Sequence, residues 1–137
     1  MCSKLYHNFV ILSINKLFDI IYVGDYMYLI VNNKRIKINE YTKFKDRFKT
    51  FKFYLEKIDF GIKLPKKKMA NTTFFCQRVD ICFTDKNDII LYLYENVKSE
   101  KRILKFKAKN IYYLPLNTVK HLKVGEKIIL SNNKKRP

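Results

Sequence analysis

Two stretches of alternating sequence, separated by a short polar turn, constrain the fold of this chain more than any other feature. Positions 79, 81 and 83 are apolar in the first stretch, and positions 89, 91 and 93 are apolar in the second. The intervening residues 85–88 are typical turn formers. A period of two predicts β-strands, so these stretches are predicted to form an antiparallel hairpin. Because Ile90, Tyr92 and Tyr94 are also apolar, the second strand is expected to be buried on both faces.

Further strand patterns lie on both sides of this hairpin. Residues 28–31 and 35–38 flank an Asn-Asn pair that tolerates positive φ, which predicts an earlier hairpin. Short strands and one helical turn complete the pattern. The predicted strands are 61–64, 72–76, 110–114 and 126–130, and the helical turn is 118–122.

One segment, residues 43–55, has the periodicity of a helix instead. Phe44, Phe48, Phe51 and Leu55 form a single apolar stripe at helical spacing. We therefore predict an α+β fold that is mainly antiparallel β, with a compact curled sheet or small barrel and one main amphipathic helix. The predicted core contains Phe44, Phe48, Phe51, Phe74, Val79, Ile81, Phe83, Leu91, Leu93, Ile111 and Leu114.

The 137 residues have room for one domain of ordinary size, which is predicted at 27–130. Residues 1–26 form an N-terminal extension, which is either an added helix or strand or an over-extended reading frame before a true start at Met27. The second alternative rests on residues 23–27, which can be encoded by a ribosome-binding sequence followed by ATG. Residues 131–137 form a basic tail that is predicted to be disordered.

The apolar stretch 8–23 is interrupted by Lys16 and Asp19 and is too short for a membrane span. It is also a poor signal peptide, because no small-residue cleavage site follows it. We therefore expect a cytoplasmic protein without an integral membrane segment.

The chain is strongly basic, with 29 Lys and Arg against 12 Asp and Glu and a formal net charge of +17. Such a charge attracts polyanions such as RNA, DNA or anionic lipid. Arg, which reads bases through bidentate contacts, supplies only 5 of the 29 cations. An AT-rich genome also enriches Lys, Ile and Asn. The charge therefore has two explanations, polyanion binding and codon drift.

Residues that catalyse reactions or bind metals form no recognisable group in the sequence. His7 and His121 have no Cys or acidic residue at ligand spacing, and the three Gly residues are too far apart for a phosphate-binding loop. We therefore predict no metal, no cofactor and no enzymatic activity. The alternative is a small enzyme whose site assembles only in the fold, with Asp59, Arg78 or Asp80 converging in a pocket.

Basic residues are concentrated in two segments, Lys66-Lys67-Lys68 and residues 98–109. In the second segment Lys105, Lys107 and Lys109 alternate with Phe106. Interleaved aromatic rings suit single-stranded nucleic acid, because bases stack on them. Alternatively, Phe106 belongs to the core and the lysines form a solvated face. The candidate residues for sequence-nonspecific nucleic-acid binding are Lys66, Lys67, Lys68, Lys101, Arg102, Lys105, Lys107 and Lys109.

Five short motifs occur in order along the chain. Residues 47–53 are similar to an R-x-x-G-L-M-F helix, and residues 58–65 are similar to a G-L-L-F-P strand. Residues 73–85 are similar to T-F-F-M followed by I-D-V-x-F-x-D, and residues 114–118 and 123–126 are similar to L-P-A-G-T and K-x-G-D. In this order they resemble a widespread bacterial and archaeal family, domain of unknown function 192 (uncharacterised protein family 0127).

The resemblance covers residues 27–130 and implies a fold but no reaction, because the family has no established activity. The residues that match its motifs are Arg47, Gly61, Pro65, Thr73, Phe74, Phe75, Asp80, Asp85, Leu114, Pro115, Asn117 and Gly125. The family's helix Gly and its His are replaced by Thr50 and Thr72, so the polar positions of any shared site are altered. The sequence thus predicts a small basic domain of unassigned biochemical function, with nucleic-acid binding as the alternative.

Overall fold

The computed structural model describes residues 26–43, 47 and 50–133. Nine strands and one short 3₁₀ helix are defined there. The strands are β1 Tyr26–Val31, β2 Lys34–Glu40, β3 Phe60–Pro65, β4 Met69–Asn71, β5 Val79–Thr84, β6 Ile90–Val97, β7 Arg102–Leu104, β8 Asn110–Leu114 and β9 Leu130–Asn133, and the 3₁₀ helix is Val119–His121.

Seven strands form one sheet in the order β6-β5-β8-β3-β2-β1-β9, and β4 pairs with β7 in a separate two-stranded ribbon. Within the sheet β2 and β3 are parallel, and all other neighbours are antiparallel. The sheet is open, with β6 and β9 as its edges. The segment before β9 still contacts the start of β6, because the N–H of Ile90 donates to the carbonyl of Glu126 at 2.8 Å.

Both predicted hairpins are present. β1 and β2 pair around Asn32 and Asn33, which have φ values of 50° and 63°. β5 and β6 pair across a turn in which Oδ1 of Asp85 accepts hydrogen bonds from the N–H groups of Asn87 at 2.8 Å and Ile89 at 3.0 Å. Side chains that favour tight turns therefore locate both hairpins.

The central strands, rather than β6, are buried on both faces. Every residue of β5 and β8 is buried, whereas most of β6 is half-buried because this edge strand has a neighbour on one side only. Alternate residues of β5 enter two separate cores. Ile81 and Phe83 belong to the first core, and Cys82 belongs to the second, on the other face of the sheet.

The structure corrects the predicted fold class. The protein is nearly all β, with an open sheet, and is not an α+β fold with a small barrel or one main amphipathic helix. Among residues 26–43, 47 and 50–133, only Arg47 has α-helical conformation, and no α-helix with defined bounds occurs. Arg47 lies in a helical turn, where its N–H donates to the carbonyl of Lys43 at 3.1 Å. Phe44 and Phe48 of the predicted stripe lie outside the described residues.

Tertiary contacts replace the second half of the predicted helix. Lys52 forms an isolated antiparallel bridge with Phe75. Thr50 and Phe53 have φ values of 35° and 58°, which an α-helix does not contain. The ring of Phe51 is 1% exposed and packs edge-on against Phe75. Packing of this ring against the aromatic core thus overrides the helical pattern of the local sequence.

The predicted core is wrong at Phe74, which is 54% exposed. Its φ of 67° breaks the alternation of a strand, so the next residue, Phe75, takes the core position. The predicted core residues of β5 and β8 are buried.

The limits of the domain differ slightly from those expected. The sheet includes Asn133 of β9, so it extends past the predicted boundary at 130. Residues 1–25 of the N-terminal extension and residues 134–137 of the tail lie outside the described residues. Within the described part of the chain, no helix has the length and apolar character needed to cross a membrane.

Candidate functional site

Five lysines from separate segments line one depression on the surface. Its volume is about 430 Å³, and its other walls are Pro65, Ala108 and Asn110. No carboxylate occurs among the described residues that line it. We call this depression the lysine pocket, and its five lysines are Lys66, Lys67, Lys68, Lys86 and Lys109.

Backbone hydrogen bonds hold two of these segments against the sheet. Residues 66–68 connect β3 to β4, and Lys109 directly precedes β8. The N–H of Lys67 donates to the carbonyl of Lys109 at 3.0 Å, and the N–H of Lys109 donates to the carbonyl of Thr84 at 2.8 Å. The pocket lysines therefore project from a backbone that the sheet fixes.

Lys66 stands in a strained conformation at the start of this loop. Its φ of 58° is left-handed, which costs a residue with a Cβ roughly 1–2 kcal/mol. Such strain is often found at functional sites.

Lys67 is the half-buried lysine of the pocket, and two other cations lie near it. Burial lowers the pKa of Lys67, and the nearby charges of Arg47 and Lys52 lower it further. Arg47 is held in place because its Nη2 donates to the carbonyl of Pro65 at 2.8 Å. The other four lysines of the pocket are exposed.

The Oδ1 of Asp88 accepts a hydrogen bond from Nδ2 of the pocket residue Asn110 at 3.3 Å, but no salt bridge joins a pocket lysine to a carboxylate in the part of the chain that the structure describes. The salt bridge found there joins Lys63 to Asp88 at 3.4 Å. Asp85, which is next to Lys86, uses its Oδ1 to bind N–H groups of its own turn. Like charges held close together repel one another, and an anion bound among them would remove this repulsion.

The structure brings together four of the eight predicted polyanion-binding residues, namely Lys66, Lys67, Lys68 and Lys109. Lys105 and Lys107 do not line the pocket, although they lie in the same connection between β7 and β8 as Lys109. The Nζ of Lys105 lies 4.7 Å from the centre of the Tyr92 ring. Lys101 and Arg102 lie at the opposite end of the β4–β7 ribbon. The cationic surface is therefore more compact than the sequence predicts.

Lys86 completes the lysine pocket, although the sequence presents it only as a turn residue. Its position depends on the pairing of β5 with β8, which places Thr84 opposite Asn110. These partners are far apart in the sequence, and no local pattern specifies their pairing. A turn lysine beside a central strand is the only signal that could have indicated it.

An exposed aromatic residue lies in the turn that leads to the lysine pocket. Phe106 is 74% exposed, so its interpretation as a core residue is wrong. It lies in a turn where the N–H of Ala108 donates to the carbonyl of Lys105 at 3.1 Å. Ala108, two residues further along the chain, lines the pocket, so the backbone of this turn leads to the pocket wall.

Residues that resemble the family motifs connect distant segments of the fold. The carboxylate of Asp80 is 1% exposed and accepts three backbone hydrogen bonds, from Asn96 at 2.9 Å, Thr118 at 2.9 Å and Val119 at 3.1 Å. The Thr118 hydroxyl in turn donates to the carbonyl of Pro115 at 2.7 Å. Asp80 thus anchors the loop after β8 to strand β5.

Gly61 lies at the closest approach of β3 to its neighbours. A Cβ at this position would lie 2.7 Å from Cδ1 of Ile38 and 2.9 Å from Cδ2 of Leu114. The carbonyl oxygen of Tyr113 would lie 3.0 Å from the same Cβ. A larger residue at this position would therefore force the ends of both side chains to shift and would crowd the backbone of β8.

Turn geometry accounts for other motif positions. The N–H of Thr73 donates to Oδ1 of Asn71 at 2.9 Å, and Asp85 stabilises the β5–β6 turn. Asn117 and Gly125 have φ values of 68° and 95°, a region that Gly and Asn tolerate best. These contacts assign structural roles to the motif residues.

No family model matches this chain, and no curated protein matches it. Solved structures with a similar fold include a provisionally assigned transcription regulator from Sinorhizobium meliloti 1021. It has a TM-score of 0.62 and 17% sequence identity, and the match covers 81% of this chain and 95% of that one. A protein of unknown function from Novosphingobium aromaticivorans DSM 12444 has a TM-score of 0.60 and 13% identity, covering 78% and 84% of the two chains. At these identities the likeness shows the fold alone.

Proposed function

We propose that this protein binds nucleic acid without sequence preference, through phosphate contacts at the lysine pocket. The observation that carries the proposal is the convergence of five lysines, with no lining carboxylate among the described residues, on one depression of about 430 Å³. Lysine presents a point charge that suits phosphate oxygens but carries no base information. The pocket lining contains no Arg among the described residues, so the bidentate reading of guanine is not expected there.

Codon drift is the competing explanation of the charge. Drift has no reason to gather lysines from three connections of the fold at one place. It also has no reason to leave them without carboxylate partners in the described part of the chain. Phosphate binding accounts for both features, because the bound anion compensates the clustered charge. The provisional assignment of one structural neighbour as a transcription regulator agrees with a partner of this class.

The proposal is binding rather than catalysis. The two acceptor oxygens of Asp80 are occupied by backbone N–H groups, and Nη1 of Arg78 donates to the carbonyl of Asn96 at 3.3 Å. These contacts support structural roles for both residues.

The direct test compares two triple variants with the wild type. K66Q/K68Q/K109Q neutralises three exposed lysines of the pocket, and K34Q/K98Q/K120Q neutralises three exposed lysines elsewhere. Fluorescence anisotropy with a labelled duplex of arbitrary sequence, and with a second unrelated duplex, would measure Kd between about 50 and 200 mM salt.

Loss of three phosphate contacts should reduce the slope of log Kd against log salt by up to roughly 2.7. The pocket variant should show this loss with both duplexes, and the control variant should keep nearly the wild-type slope. Equal losses in both variants would mean that the charge acts diffusely, and absence of wild-type binding to duplex and single-stranded DNA alike would refute the proposal. Because all six lysines are exposed, each substitution should change the free energy of unfolding by no more than about 0.5 kcal/mol.

We also propose that the chain is a distant relative of the family named domain of unknown function 192. The contacts of Arg47, Gly61 and Asp80 support this, because they give structural reasons for residues that the motifs share. A solved member of that family should place a glycine between two strands at the position of Gly61 and a buried carboxylate at the position of Asp80. Different residues or another strand order would contradict the relationship.

A further inference from the structure

Phe106 is an apolar ring that the fold presents to solvent. Its side chain is 74% exposed, the highest value among the exposed large hydrophobic residues of the described chain. Burial of a Phe side chain stabilises a fold by about 1.5–3 kcal/mol, and the exposed ring of Phe106 does not make this contribution. No ring–ring or cation–π contact of Phe106 occurs within residues 26–43, 47 and 50–133.

The turn that carries this ring is anchored at both ends. The N–H of Lys105 donates to the carbonyl of Lys68 at 2.9 Å, which ties the turn to the loop of the lysine pocket. At its other end Ala108 is fully buried. The backbone of this turn is therefore fixed beside the pocket, and it carries Phe106 with Lys105 and Lys107 on either side in sequence.

We propose that the partner is single-stranded nucleic acid, with one base stacked on Phe106 and the flanking phosphates bound at the lysine pocket. This inference rests on the proposed function and adds the strandedness of the ligand. A single strand offers unpaired bases whose faces can stack on an aromatic ring, and such stacking is tolerant of sequence. In a duplex the base faces are covered by their neighbours, so the ring would gain nothing without base flipping.

The test compares F106L with F106W, using oligo-dT of roughly 12 nucleotides and its duplex with oligo-dA as probes. Leu keeps an apolar side chain but has no π face, whereas Trp keeps the stacking surface. F74L is the matched control, because Phe74 is also exposed but lies near the opposite end of the β4–β7 ribbon, where its N–H binds Glu100.

We expect the wild type to bind the single strand more tightly than the duplex. F106L should lose roughly 5-fold or more in affinity for the single strand, because stacking contributes about 1–3 kcal/mol per base. Its affinity for the duplex should stay within about twofold of the wild type, since phosphate contacts are unchanged. F106W and F74L should bind the single strand like the wild type.

Equal wild-type affinity for both probes, together with no effect of F106L, would overturn this inference and leave phosphate binding at the pocket intact. Equal losses for both probes in F106L would also overturn it, because they would reflect local damage to the turn. If F74L lost as much affinity for the single strand as F106L, stacking would not be specific to Phe106 and the inference would be overturned. Failure of the wild type to bind either probe would instead refute the proposed function itself.

Discussion

Replacing Asp80 by Asn preserves the size of a buried side chain but changes the hydrogen bonds that it can accept. Oδ1 of Asp80 accepts the N–H of Asn96, and Oδ2 accepts the N–H groups of Thr118 and Val119. An Asn side chain offers only one acceptor oxygen, because its NH₂ group donates. In either orientation of the amide, at least one of these three N–H groups would face another donor, and two of the three are buried.

A buried donor without an acceptor costs about 1–3 kcal/mol, and hydrogen bonds to a charged group are worth more than neutral ones. We therefore expect D80N to lower the free energy of unfolding by about 2–4 kcal/mol. For a domain of about 100 residues, 1 kcal/mol shifts Tm by roughly 4–8 °C, so Tm should fall by at least about 8 °C. Thermal unfolding followed by circular dichroism at neutral pH measures this change.

D59N provides the matched control, because Asp59 is exposed and the substitution removes the same charge. Its Tm should stay within about 2 °C of the wild type. If D80N were equally mild, the three hydrogen bonds would not stabilise the fold. Asp80 would then be available for chemistry, as the enzyme alternative requires.

Three further predictions concern single positions. G61A should lower the free energy of unfolding by about 1–3 kcal/mol, because the added Cβ would clash with Ile38 and Leu114. Urea titration measures this change, and an unchanged urea midpoint would contradict the close packing at Gly61. K66G should leave Tm unchanged or slightly raised, because glycine relieves a left-handed φ that costs roughly 1–2 kcal/mol. The same substitution should weaken nucleic-acid binding, because it removes a pocket lysine. A clear loss of stability would show that the backbone at Lys66 is not strained. Burial raises the pKa of the Cys82 thiol from 9.0 to about 12, so the stability that this thiol contributes below pH 9.0 should be lost as the pH rises towards 12. Tm should therefore fall less steeply over this pH range for C82A than for the wild type. Parallel plots of Tm against pH for the two proteins would exclude the effect.

The sequence predicts the local parts of this fold better than its long-range pairing. Asn32, Asn33 and Asp85 favour turns by their own side chains, and both hairpins form around them. The predicted helix 43–55 is absent over residues 50–55, because Phe51 is buried through another arrangement of the chain. Phe51 enters an aromatic core contributed by distant strands, and its neighbour Lys52 pairs with Phe75.

The candidate site likewise combines residues that a local pattern predicts with residues that only long-range strand pairing brings together. Lys66, Lys67 and Lys68 are adjacent in sequence, so their cluster is visible without a structure. Lys86 joins them only because β5 pairs with β8, which no local pattern specifies. The sequence also does not decide whether Phe106 is buried or exposed. Its alternation with lysine is compatible with a half-buried strand and with the turn that the structure contains.

Nucleic acid bound at the lysine pocket should shield its lysines from chemical acetylation. The full-length protein would be acetylated with and without saturating oligo-dT and duplex DNA, and mass spectrometry would quantify the modification of each exposed lysine. The pocket lysines to follow are Lys66, Lys68, Lys86 and Lys109, and the reference lysines are Lys34, Lys98 and Lys120. Protection confined to the pocket lysines is the expected result, whereas uniform protection, or protection centred on the reference lysines, would contradict binding at this site.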